Sequence, residues 1–376
     1  MTTTITRRDV LAAGLLSAVP FGIARTADTS WGGYDQAIVI EGLGGPGSLT
    51  ADSNTAWTPE HLSDVRASGL TCAHMTILPV GTTPTDAAFT AAVRGIAWVE
   101  REIDAHPDTF ARIRTVADIT AAKRAKRTGL IYGFQDGVAF ETDLDRLTDL
   151  HYFGIRVIQP TYNRRNLLGD GCLEPANAGL SRTGFDAIER MNTLGILVDL
   201  SHCGRQTAAD AIRTSKKPVA FTHTGCFALA NHPRNRTDEE LRAVSKTGGV
   251  SGLYIMPYLS GGRQPTAADV IRHLEHMINV AGEDHVSIGT DGTISPAVLD
   301  QAYKDAFARS VRDRRAAGIG AADENETGYL FAGDLNTPRR FETLSAMLAG
   351  RGHSTSRIEK VLGRNLMRVF ADTWKS

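Results

Sequence analysis

The stretch Ile196-Leu197-Val198-Asp199-Leu200-Ser201-His202, followed further on by Val219-Ala220-Phe221-Thr222-His223-Thr224, decides how the chain folds. Each is a short apolar run that stops at a histidine, and helical spacing over 183–194 precedes the first. Runs this brief, apolar on both faces and bounded by polar residues, read as strands of a buried parallel sheet. Working outward, the same pattern recurs at 37–41, 70–78, 130–134, 155–160, 249–254 and 285–289, which with 196–200 and 219–222 makes eight strands. Between them helical spacing covers stretches such as 59–67, 86–106, 238–246 and 267–281, several opened by a Thr, Ser or Asp suited to an N-cap. Eight alternating units predict an α/β fold closed into a TIM-like (β/α)8 barrel rather than an open sheet. Residues 292–336 break the rhythm, with charge and glycine scattered through 309–333, and read as an insertion or long loop. Helical spacing returns over 341–348 and 354–370, predicting C-terminal helices packed back on the barrel, so that 28–376 forms a single domain.

A chain of 376 residues, 42% hydrophobic, can bury a barrel-sized core. Its 41 Lys and Arg against 42 Asp and Glu give a net charge of -1, so no basic field exists to hold nucleic acid or an anionic membrane, and a small, near-neutral partner is expected. The first residues have another purpose. Thr6-Arg7-Arg8-Asp9-Val10-Leu11 leads into an apolar stretch over 10–24 broken by Pro20, which looks like a twin-arginine export signal over 1–27, cleaved after Ala24 or Ala27. Such a signal implies export of a folded, cofactor-loaded chain and a periplasmic destination. The stretch is too short and Gly-rich for a membrane span, and 368–376 lacks the apolar tail of an anchor signal, so the mature form is expected to carry no membrane anchor. Cys72, Cys172, Cys203 and Cys226 form no CxxC pair, which argues against a zinc ribbon. An oxidising compartment would permit a disulfide, but spacing does not say which.

In such a barrel the chemistry lies at the C-terminal strand ends, and that position filters the histidines. His61, His106, His151, His273, His276 and His353 fall in helical or loop contexts and read as solvated. His202 and His223 instead end adjacent strands, where neutral imidazoles suit zinc or a similar ion. Asp291, in Ser287-Ile288-Gly289-Thr290-Asp291-Gly292, ends the last strand and offers a carboxylate to the same cavity.

From about residue 38 to 370 the chain resembles the membrane (renal-type) dipeptidases, zinc peptidases with a TIM-like barrel. The resemblance rests on Thr161-Tyr162-Asn163, Leu168-Gly169-Asp170-Gly171, Gly179-Leu180-Ser181, Leu197 to His202, Thr222-His223-Thr224, Pro233-Arg234-Asn235, His285 to Asp291 and Gly363-Arg364-Asn365-Leu366-Met367-Arg368. It implies that His202 and His223 hold one zinc and that Asp291 activates water and carries protons. It further implies that Arg234 grips the substrate's terminal carboxylate, that Tyr162 polarises the scissile carbonyl, and that the protein is a homodimer. Two departures matter. The family's first strand ends in His-x-Asp, where this chain reads Ile40-Glu41-Gly42-Leu43-Gly44-Gly45, and the family's metal-bridging glutamate is replaced in Tyr132-Gly133-Phe134-Gln135-Asp136.

The expected centre is therefore one divalent metal, zinc, on His202 and His223, with the Gln135 oxygen or water completing it and Asp291 nearby. His74, facing the same way as Cys72, is the first candidate for a compensating ligand, ahead of Glu41, Cys203 and Cys226. A pocket holding no metal is the other outcome. The function expected is an exported dipeptidase-like metallohydrolase acting on a dipeptide or similar small amide. The alternatives are a degenerate barrel that binds or matures a small periplasmic metabolite, and a one-metal lyase or isomerase.

Overall fold

Strands this short cannot stand alone, so each depends on both of its neighbours. Eight lie side by side in chain order: β1 (Ile40–Glu41), β2 (Cys72–Thr76), β3 (Thr128–Phe134), β4 (Ile155–Ile158), β5 (Leu197–Asp199), β6 (Val219–Cys226), β7 (Val250–Leu253) and β8 (Val286–Ile288). This is a computed structural model, and it describes residues 31–48, 54–81, 86–321 and 324–375; the export signal read at 1–27 lies outside them. Neighbouring strands are parallel, with Ile40 opposite Cys72, Cys72 opposite Gly129, Val157 opposite Leu197, Val198 opposite Val219 and Ser251 opposite Val286. The ring closes where Gly42 N donates to Ile288 O at 2.9 Å and Gly44–Gly45 pairs with Gly292–Thr293. The result is the closed α/β barrel that the alternation predicts.

The helices α1 (Pro59–Ser68), α2 (Asp86–Ala105), α3 (Val116–Arg124), α4 (Arg146–Tyr152), α5 (Arg182–Leu194), α6 (Arg205–Thr214), α7 (Asp238–Lys246) and α8 (Ala267–Ala281) fill the crossovers. Thr58, Ser181 and Thr237 cap three of them by accepting from the backbone N–H groups of His61, Gly184 and Glu240. Beneath the site, Ile40, Cys72, Ile131, Val157, Leu197, Ala220 and Val250 form an apolar layer. After α9 (Gln301–Ala316) comes a C-terminal run of α10 (Arg340–Gly350), α11 (Thr355–Glu359) and α12 (Asn365–Thr373). Leu366, Val369, Phe370 and Trp374 pack into the same apolar layer and floor the barrel.

Two expectations need correction. The stretch 292–336 is not simply a loop, because it carries the 16-residue helix α9 (Gln301–Ala316). Asp300 caps it by accepting from Tyr303 N, but only Phe307 and Val311 are buried along it, so its charged face hides the helical period. His273 is fully buried rather than solvated: its Nδ1 accepts from Cys226 N at 3.1 Å and its Nε2 donates to Leu259 O at 3.0 Å. The four cysteines are all free in this structure. Among the described residues no helix is long and apolar enough to cross a membrane.

Candidate active site

Asp199 ends β5 inside the barrel, fully buried, and organises the strand ends above it. Its carboxylate accepts from Ser201 N at 3.1 Å, Thr222 N at 3.0 Å, Gln159 Nε2 at 2.8 Å and Thr222 Oγ1 at 2.6 Å. Having given its proton to Asp199, the Thr222 hydroxyl can only accept from His223 Nδ1, 2.8 Å away. His202 is fixed in the same manner. Asn163 Nδ2 donates to Ile319 O at 2.7 Å, which turns Oδ1 toward His202 Nδ1 at 2.6 Å. Both rings are therefore Nδ1–H tautomers with the lone pair on Nε2. Burial, aided by the Arg234 guanidinium, pushes both imidazoles well below their ordinary range, so they are neutral and ready to ligate.

Asp291 joins them from the end of β8. Its φ of 59° lies in the left-handed region, which aspartate tolerates better than most residues, and its backbone N donates to Leu43 O at 2.8 Å. Burial raises its carboxyl to about 6, against the lowering influence of Arg234 and Arg314. Ligand atoms of His202, His223 and Asp291 all lie within 4.8 Å of one another. Two neutral imidazoles and one carboxylate at that spacing fit a single divalent cation. Among the described residues no second group of three such side chains comes this close together.

Gln135, 6% exposed, extends from β3 with Nε2 3.4 Å from His202 Nε2 and 3.3 Å from His223 Nε2. His74 stands outside the cluster. Its Nδ1 donates to Gly42 O at 2.7 Å and its ring lies over Gly133, where an added Cβ would come 2.1 Å from Nε2. Glu41 also turns away, accepting from Thr290 N and Thr290 Oγ1, each at 2.6 Å. Cys203 and Cys226 are buried, and burial raises their thiols well away from the ligating thiolate form.

Tyr162 stacks on His202 with ring centroids 4.0 Å apart, and Arg314 donates to its hydroxyl at 3.2 Å. Arg314 comes from α9, in the stretch that reads as an insertion, and is held by Glu324 through two hydrogen bonds of 2.9 Å. Glu324 accepts a further bond from Tyr258 Oη at 2.9 Å. Arg234 is buried against backbone, donating to Ser201 O and, at 3.3 Å, to His223 O. A cavity of about 490 Å³ is bordered by Gly292, Thr293, Ile255, Tyr303, Phe331 and Arg309, and neither Asp291 nor either histidine of the cluster lines it.

Sequence reading missed Arg314 and Glu324 for want of any signal in a charge-rich stretch. Asn163, Asp199 and Thr222 lay within the recognised blocks, yet only their hydrogen bonds reveal what they do.

Residues 48–305 match the family model for membrane dipeptidases, peptidase family M19. The chain belongs to the membrane dipeptidase family. Among solved structures, an amidohydrolase from Pseudomonas aeruginosa is similar at 32% identity and a TM-score of 0.78, covering 91% of this chain and 98% of that one. The fold is also that of a metallopeptidase from Rhodobacter sphaeroides, solved with a phosphinate mimic of the dipeptide L-Ala-D-Ala, at 20% identity and a TM-score of 0.72 over 90% of this chain and 100% of that one. The dipeptidase verJ of Clonostachys rogersoniana is 27% identical over 282 residues, 74% of this chain. That match spans 64% of verJ, less than two thirds of its length. Within the membrane dipeptidase family, this member keeps a His/His/Asp cluster and has glutamine where the resemblance places a bridging glutamate.

Proposed function

We propose that the protein is an exported hydrolase of the dipeptidase type that works with one divalent metal, zinc, and cleaves a dipeptide or similar small amide. The observation that carries this reading is the convergence of ligand atoms of His202, His223 and Asp291 within 4.8 Å of one another, with both imidazole tautomers fixed from behind. When bound, the cation supplies Lewis acidity and a water of lowered pKa. Asp291 takes the proton of the attacking water and delivers it to the leaving amine. The Tyr162 hydroxyl, receiving a hydrogen bond from Arg314, turns its own hydrogen toward the substrate's carbonyl oxygen. Arg234 keeps guanidinium donors beyond the two that brace Ser201 and His223, and these orient the substrate's carboxylate. The twin-arginine pattern in 1–27 supports export of the folded chain.

The deciding experiment is elemental analysis of protein purified without added metal, beside a His202→Ala variant and an assay on mixed dipeptides. About one metal per chain, lost together with hydrolysis in the variant, is the expected result; full metal with no turnover of any small amide would overturn it. A second reading, a barrel that binds a small metabolite without hydrolysing it, draws support from the stretch Ile40 to Gly45, which lacks the His-x-Asp that the resemblance implies, and from Gln135, where it implies a glutamate.

A further inference from the structure

The amide of Gln135 faces two nitrogen atoms whose hydrogen-bonding roles are already decided. Because Asn163 and Thr222 take the Nδ1 protons, His202 Nε2 and His223 Nε2 can only accept. An amide oxygen turned toward them would bring three acceptors together in a buried space, whereas the NH2 group has one hydrogen for each ring. Its nitrogen is 3.4 and 3.3 Å from the two Nε2 atoms, nearly equidistant, as a bridging donor should be.

We propose that Gln135 is not a ligand of the metal centre but a competitor for it: its amide NH2 caps both imidazole lone pairs, and a cation binds the histidines only when that amide swings aside. The proposal rests on the reading that His202 and His223 hold a divalent cation. It replaces the oxygen-ligand role suggested by sequence. The cap has a structural use, since it satisfies two buried acceptors that would otherwise be unpartnered whenever the cation is away, and so lets the barrel fold unloaded. Bonds of 3.3–3.4 Å are long, so the competition is mild. Together they correspond to about tenfold weaker metal binding.

The test is a competition titration of Zn2+ against a chromophoric chelator, on full-length protein stripped of metal, for the native chain, Gln135→Leu and Gln135→Glu. Glu adds a charged ligand and is expected to bind more tightly, which checks that the site remains competent. Leu has no polar atom to offer either a ring or a metal. Capping predicts that Gln135→Leu binds Zn2+ about tenfold more tightly than the native chain and that its stripped form melts at a lower temperature. Unchanged or weaker binding by Gln135→Leu overturns the proposal, because the amide would then be a bystander or an oxygen ligand. Should Gln135→Leu fail to fold, Gln135→Ala is compared in the same way. Failure of all the proteins to bind Zn2+ removes the one-metal reading itself, a result distinct from tight binding that ignores position 135.

Discussion

Asn163 hands the position of the α9 segment to His202: its Nδ2 is tied to Ile319 O at 2.7 Å and its Oδ1 holds the imidazole Nδ1 at 2.6 Å. The docking of a peripheral segment thereby fixes a ring tautomer at the centre. Asn163→Ala should free the ring to rotate and to exchange tautomers. Outer partners of this kind are typically worth about 10- to 100-fold in metal affinity. A Zn2+ titration showing that loss, with circular dichroism unchanged, is the expected outcome; native affinity would mean that the ring is held by other contacts.

Thr222 performs the equivalent task for His223, and its hydroxyl is spent in both directions. Thr222→Val keeps the shape and strips Asp199 of its bond to that hydroxyl within a fully buried environment. Chemical denaturation should register a loss of about 1–3 kcal/mol. A change below a few tenths would show that the other donors around Asp199 suffice.

Glu41 ties the loop after β1 to Thr290, and burial raises its carboxyl from 4.5 to about 7. The folded chain therefore holds a proton that the unfolded chain releases above about pH 4.5. This stability is complete below that pH and is lost as the pH rises through about 7. Glu41→Gln removes the ionisation while keeping both an acceptor and a donor for Thr290. The variant should unfold with a flatter pH dependence over that window and be the more stable protein at pH 8, by up to about 3 kcal/mol. Parallel pH profiles for the two proteins would exclude Glu41 as the titrating group.

Arg314 and Glu324 separate activity from stability. Arg314→Met leaves the buried Glu324 facing Tyr258 without its cation, and removing one partner of such a pair costs about 3–5 kcal/mol when burial is deep. Adding Glu324→Gln should recover most of that loss in a thermal melt. If Arg314 acts through the Tyr162 hydroxyl, kcat on a dipeptide substrate stays about 10- to 100-fold low in the refolded double variant. Full recovery of kcat would make Arg314 a scaffold residue alone.

The barrel was legible because its strands are short apolar runs and several of its helices begin with a capping side chain such as Thr58, Ser181 or Thr237. The apolar runs of β5, β6 and β8 likewise advertised His202, His223 and Asp291, although β6 continues past His223 to Cys226. What stayed hidden has a physical cause in each instance. Helix α9 buries only Phe307 and Val311, too narrow a stripe to register as periodicity among its charges. Arg314 reaches Tyr162 across 152 positions of sequence. Gln135 could be named from the sequence as a departure, but which end of its amide meets the histidines depends on Asn163 and Thr222, and thus on the folded network.

The floor of the barrel has a consequence for how the protein is made. Ile40, among the earliest residues of the core, shares one apolar layer with Leu366, Val369, Phe370 and Trp374 near the other end of the chain. That layer cannot close until the ribosome has released the last helix. Throughout synthesis the nascent barrel stays open at its base, and its floor is completed only when α12 docks against the strands.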